Sequence, residues 1–191
     1  MSRDDPTPLV SPEAREAARH SPGGWVYEID PFFDADGDVP PYGIVGAWPV
    51  DDRGEISEEF ERNPNYRPSP VALEFPEPVD PLDAAAQLAV TGYGENQQAA
   101  AALLRSQVFV ASGDEDSLWV HEVDGKHAVF VFSSEQHLPR EPLLGSDGWR
   151  RIDGGRLAEL LPEGSDVVVN VGGPAPWAIG ATDLRRIADA D

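Results

Sequence analysis

The residues of this chain whose types and spacing invite chemistry are an aspartate run, four histidines and a few glycines beside serines or a strand end. Asp34-Ala35-Asp36-Gly37-Asp38 offers the oxygen donors of a calcium loop. An EF-hand needs acids at positions 1, 3 and 5, glycine at 6 and glutamate at 12. Here glycine stands fourth and Val45 twelfth, so the run reads as a solvated turn. His20, His121, His127 and His137 make neither H-x-x-x-H nor H-E-x-x-H. His121 and His127 flank a hairpin and could face each other across it, but two imidazoles without a third ligand are a weak metal site. No G-x-S-x-G exists, and Gly113, Gly145 and Gly164 lie near serines only in turn-like contexts. Lys126, the one lysine, is outside any phosphate-binding glycine loop. Gly172-Gly173 could present free amides to an anion, yet without a helix-opening fingerprint it reads as a strand exit. With 35 acidic residues, choosing any carboxylate pair would be arbitrary. No catalytic residue, metal or cofactor is expected, and the chain is read as a non-enzyme.

The segment from Gly43 to Pro70 has a different character. Trp48, Phe60 and Tyr66 alternate with Pro49, Gly54, Asn63, Pro64, Pro68 and Pro70, so large anchors sit between residues that fix the backbone. Trp48, Tyr66 and Arg67 are types enriched in binding hot spots, and a stiff backbone lowers the ordering cost of association. Trp48, Asn63, Tyr66 and Arg67 are therefore the candidate partner-binding residues. The competing reading makes Trp48 and Tyr66 internal struts.

Composition narrows the partner. The 191 residues carry 35 acids against 14 Lys and Arg, a net charge of -21. Such a chain repels phosphate backbones and anionic lipid, which disfavours nucleic acid and membrane surfaces and favours a basic protein surface. Acidity as a solubility device remains the simpler explanation. Cysteine is absent, which removes disulfides and thiolate chemistry. MSRDDPTPLV has no apolar core and carries early acids, so it does not read as a signal peptide. No run approaches the ~20 apolar residues of a membrane span. A cytoplasmic protein is the expectation.

Around these residues the pattern predicts a mixed α+β chain in three stretches: 1–22, flexible with a short helix; 23–79, rich in Trp and Pro; and 80–191, a sheet covered by helices. Ser11-Pro12 opens the first helix and Ser21-Pro22-Gly23-Gly24 ends it. Strands follow at 25–29 and 43–50, the latter placed at an edge by Pro49, with 55–60 returning as a hairpin arm. Asp80-Pro81 caps a helix ended by Gly92, and a second helix covers 95–105. Strands 106–111, 117–123, 126–133 and 166–171 are expected in one sheet, with Asp124-Gly125 as a hairpin turn. Phe130, Val131, Val168 and Val169 are expected to be buried, both strand faces being apolar. A strand near 149–152 precedes a helix capped by Asp153, and Thr182 caps the last one, with Leu184, Ile187 and Ala188 inward.

Two family resemblances accompany this reading. Residues 25–93, with GWVYEIDPFFD, GIVGAWPVDDRGEI, NPNYRPSP and DPLDAAAQLAVTGYG, resemble the N-terminal region of actinobacterial type VII secretion system-associated proteins. Residues 98–188, with LLRSQVFVA, HAVFVFSS, LAELLPEGSDVVVNVGG and the final helix, resemble the SseB N-terminal domain, whose strand ends in Asn-x-Gly, here Asn170-Val171-Gly172. The usual Asn-Pro spelling is absent at that corner. The resemblance implies a cytoplasmic accessory protein of an ESX-like locus, acting as adaptor, chaperone or immunity-like factor on a secretion component or secreted substrate. The alternative it implies is a modulator of a metabolic enzyme, sulfurtransferase- or serine-related.

Overall fold

The computed structural model describes residues 8–57, 59–113, 116–141, 146 and 148–190. Residues 1–7, the start of the stretch read as flexible, and Gly145 lie outside them. The protein is α+β and forms two compact units, Met1–Leu73 and Glu74–Asp191.

In the first unit, Ser11 accepts from the Ala14 amide at 3.0 Å and opens α1 (Pro12–Arg19). Strands β1 (Trp25–Ile29), β2 (Ile44–Pro49) and β3 (Glu61–Arg62) form an antiparallel sheet in that order. Two expectations are corrected here. β2 is the central strand rather than an edge, because β3 pairs only with Gly46 and Ala47 and never reaches Pro49. Past β3, the Ser57 amide donates to Pro49 O at 2.9 Å, a bond that does not need the proline N–H. The hairpin arm is shorter than 55–60: the Asp51 amide donates to Glu55 O and the Ser57 amide to Pro49 O, each at 2.9 Å, around a Val50–Ile56 bridge, and the chain then returns as β3. Phe60 crosses over β2 on the way, its ring lying 2.4 Å from where a Cβ on Gly46 would stand. Ala14 and Ala18 of α1 pack on Val26 and Val50, which covers one face of the sheet.

In the second unit, Asp80 accepts from the Asp83 amide at 2.9 Å to open α2 (Pro81–Thr91), and Gly92 closes it at φ 75°. Glu95 and Gln98 form a capping box at the start of α3 (Asn96–Leu104). There follow β4 (Gln107–Ala111), β5 (His121–Val123), β6 (Lys126–Val131), β7 (Trp149–Asp153), α4 (Gly154–Leu160), β8 (Ser165–Val169), β9 (Trp177–Gly180) and α5 (Ala181–Ala188). The hairpin turn at Asp124-Gly125 is as read, with φ of 51° and 76°.

β6 and β8 run parallel at the centre of a four-stranded sheet ordered β5-β6-β8-β9. The expected single sheet is corrected at residues 106–111, since β4 pairs with β7 in a sheet of its own. β8 takes one edge of β6 along its length and β5 the other only as far as Ala128, and β4 meets β6 at a single bridge past its end, where Phe109 and Phe132 exchange hydrogen bonds of 2.8 and 2.9 Å. The four residues expected to be largely buried are unequally so. Val129, Val131, Val167 and Val169 meet Leu82, Leu103, Leu157 and Leu184 in the core, whereas Phe130 and Val168 on the opposite face are half-buried. Phe130 is covered by the His121 ring, stacked at 4.4 Å.

Three local expectations shift as well. The strand at 117–123 shortens to β5, and β9 appears unannounced after the prolines at 174 and 176. Because β9 runs straight into α5, Gly180 and not Thr182 holds the cap position, and Ala188 is exposed while Leu184 is buried. Arg185 of α5 donates to Ala158 O at 3.1 Å and to Leu161 O, which satisfies carbonyls at the end of α4.

Gly154 is where packing is tightest. Its amide donates to Ser106 O at 2.9 Å, and a Cβ there would stand 1.9 Å from Leu103 O. Gly154→Ala is expected to lower stability by about 1–3 kcal/mol or more, read as a fall in the denaturation midpoint. Gly155→Ala, whose Cβ would meet only the Asp153 side-chain oxygen at 3.2 Å, is the milder control.

Candidate functional site

The segment that drew attention in the sequence is held together by one buried carboxylate. Asp30 follows β1 with 0% of its surface exposed. Its Oδ1 accepts from the Phe32 amide at 2.9 Å, and its Oδ2 from the Tyr66 hydroxyl at 2.8 Å and the Ser69 amide at 3.0 Å. Burial pushes this carboxyl up, but hydrogen bonds from the Ser69 side chain and amide, the Phe32 amide and the Tyr66 hydroxyl outweigh it. Together they hold Asp30 below the usual carboxylate range.

The four candidate residues occupy distinct settings around this joint. Trp48 is buried, its ring 4.6 Å from Phe60. Its indole N–H approaches the Glu28 carboxylate without reaching hydrogen-bond geometry, so burial raises Glu28 and the indole only partly offsets it. Asn63 donates from Nδ2 to Pro41 O and Ile44 O, each at 2.7 Å, and pins the loop before β2. Tyr66 is half-buried and spends its hydroxyl on Asp30. Arg67 is exposed, with its guanidinium carbon 5.7 Å from the centre of the Tyr42 ring.

The open side of this unit lies on the other sheet face. Trp25 and Tyr27 alternate with buried Val26 and are 42% and 57% exposed. Across the strands, Tyr27 pairs with Ala47 and Ala47 with Glu61. These residues build a shallow groove of about 390 Å³, with Trp25 and Tyr27 as one wall, Ala47 as floor, and Glu61, Arg62 and Asn63 opposite. Sequence reasoning missed Trp25 and Tyr27 as surface residues. The signal was present in WVYEI, where two aromatics two apart on a strand must share a face.

The second unit carries a closed polar ring at the carboxyl ends of β6 and β8, the end where parallel sheets place ligands. Asn170 donates to Ser133 Oγ at 3.2 Å and Asp83 Oδ1 at 3.3 Å, and its Oδ1 accepts from the Ser133 amide at 3.0 Å. His137 Nδ1 lies 3.1 Å from Ser133 Oγ and 3.2 Å from Ser134 Oγ, while its Nε2 is 3.5 Å from Asp83 Oδ2. Asp83 Oδ2 also accepts from the Val79 amide at 3.1 Å. The composition is that of a serine triad. Ser133 is buried within the ring, and the ring ties α2 to the two strand ends. Asn170 takes φ 53°, a left-handed corner that asparagine tolerates.

Other chemistry-bearing residues are placed plainly. Asp34 accepts from the Asp36 amide at 3.1 Å in an exposed turn. His121 pairs with Ala128, and His127 with Glu122, so the two imidazoles stand on opposite faces rather than facing each other. The Gly173 amide donates to Asn170 O at 3.0 Å and is already engaged. Among the described residues no helix is long and apolar enough to cross a membrane.

The strand-end asparagine and the helix that its side chain ties in fall within a region of known type. The SseB protein N-terminal domain matches residues 81–186, more than half of the chain. The chain belongs to the SseB family. No curated protein matches it significantly. The SseB domain thus lies within the second unit, and the Asp30 joint and the aromatic groove lie outside the matched region.

Two predictions test the joints. Asp30→Asn replaces an acceptor of neutral donors by a group that must turn an N–H toward one of them, and is expected to cost about 3 kcal/mol, against ~1–1.5 for Tyr66→Phe. Since the folded pKa of Asp30 lies below its unfolded value, its contribution is full above about pH 4 and disappears as pH falls through the folded pKa. The stability gap between wild type and Asp30→Asn should therefore close only in strong acid, measured by urea denaturation against pH. In the second unit, Asn170→Ala is expected to cost about 2–4 kcal/mol, through orphaned ring partners and a strained backbone, with Asn170→Gly recovering the backbone part.

Proposed function

We propose that this SseB-family chain is a non-enzymatic accessory protein that works by binding another protein. The observation that carries the reading is the groove bearing Trp25 and Tyr27. Two large aromatics stand exposed on the sheet face of a unit whose loops are pinned by Asp30 and Asn63. Rigid, solvent-facing aromatics lose little entropy on binding and bury much area. Asn63 lines the groove's far wall, Arg67 and the exposed edge of Tyr66 extend the contact set, and buried Trp48 supports it from below. The resemblance of residues 25–93 to type VII secretion-associated proteins supports a partner among secretion components or secreted substrates, met in the cytoplasm. A metabolic enzyme is the competing partner, and it would engage the matched domain at 81–186, not the groove.

The experiment is capture from the native host with the full chain, wild type against Trp25→Ala and Tyr27→Ala, with partners named by mass spectrometry. The expected result is a secretion component or secreted substrate held by wild type and lost from variants that melt normally. A metabolic enzyme retained equally by all three proteins would transfer the function to the second unit and sink this reading.

A further inference from the structure

We infer that the groove on the first unit takes a basic, proline-rich segment in the polyproline II conformation. This rests on the protein-binding reading above and names the chemistry of its partner. Trp25 and Tyr27 are two residues apart on a strand, so their Cα atoms stand about 6.7 Å from each other. That spacing leaves room between the rings for one flat, C–H-rich ring. Proline supplies it, and has no backbone N–H to strip of water when buried there. The floor is Ala47, small enough to leave the slot open, and the far wall of Glu61, Arg62 and Asn63 lies two strands away, about 9.5 Å from β1. A polyproline II chain brings its ordering cost already met.

Charge sets the rest of the partner. Exposed Glu61 and Arg62 both line the groove and offset each other locally, so the field that favours a basic segment is that of the whole chain, which carries -21. An arginine or lysine beside the prolines meets that field favourably, whereas a second copy of this chain is repelled by it. Addition of a strand at the edge of β1 is a poorer fit. Gly24 O accepts from Val50 N, so the alternation turns only the amides of Trp25 and Tyr27 outward before the bulge at Glu28/Ile29 breaks the register. The occupant is therefore recognised by the face, through side chains.

The probe is a synthetic Arg-Pro-Pro-Arg-Pro-Pro-Arg-Pro-Pro peptide titrated into the full chain by calorimetry. Two controls replace every proline by alanine, or every arginine by glutamate. Saturable binding of the first peptide is expected, with each control about tenfold weaker or worse. Trp25→Ala and Tyr27→Ala should each weaken it about tenfold, with melting points unchanged because both side chains are exposed. Glu61→Lys, a second probe away from the aromatics, should weaken binding of the basic peptide and strengthen that of the glutamate control. No saturable binding, or equal binding of the alanine control, overturns the assignment. If the captured host partner depends on Trp25 and Tyr27 but the peptide neither binds nor displaces it, the polyproline occupant falls and the protein-binding surface stands. If partner capture is indifferent to both aromatics, the surface itself falls.

Discussion

A sheet has two faces, and among its described residues the first unit has one short α-helix with which to cover them. α1 is 8 residues long, about 12 Å, and its alanines seal the face carrying Val26 and Val50. Trp48 and Phe60 close the rest of that side, so the remaining face must meet water or a partner. Trp25 and Tyr27 stand on that face. Apolar side chains of this size are common on surfaces singly, but two in register above a small floor make a shape rather than an accident of composition. The rest of the unit follows from this arrangement, because a groove is useful only if its walls stay in place.

What keeps them in place is polar. Asp30 takes a carboxylate into the interior and meets it with neutral donors, which ties the end of β1 to the segment around Tyr66 and Ser69. Asn63 does the same for the loop before β2. The second unit solves a similar problem with Asp83, Asn170, Ser133 and His137, joining α2 to the ends of β6 and β8. Asp30 is fastened by amides and a hydroxyl, Asp83 by amides and an imidazole, and each joint reaches a residue far along the chain. Such joints specify one arrangement, since any slip leaves a charge or a donor without a partner.

Much of the architecture was legible from local chemistry. Ser11, Asp80 and Asp153 announced their helices, Gly92 its helix end, and Asp124-Gly125 its hairpin, because each acts on backbone atoms within a few residues. The aromatic segment around Trp48 was legible as a rigid element. Its division into an internal Trp48, a pinning Asn63 and an outward Arg67 was not, since the same residue types serve a core and a surface. β9 escaped notice because glycines and prolines precede it, and its ladder comes entirely from β8.

The sequence by itself determined the α+β class, most helix caps, the acidic composition and the membership of residues 81–186 in a family, all of which depend on residue type and short-range order. Tertiary structure alone decided which strands share a sheet, which face of Phe130 and Val168 the helices leave open, and which aromatics reach solvent. Those outcomes turn on contacts between residues tens of positions apart, such as Asp30 with Ser69 and Asp83 with Asn170. Apolar pattern marks a strand as buriable, but the number of helices available to cover it settles whether one face or two are buried.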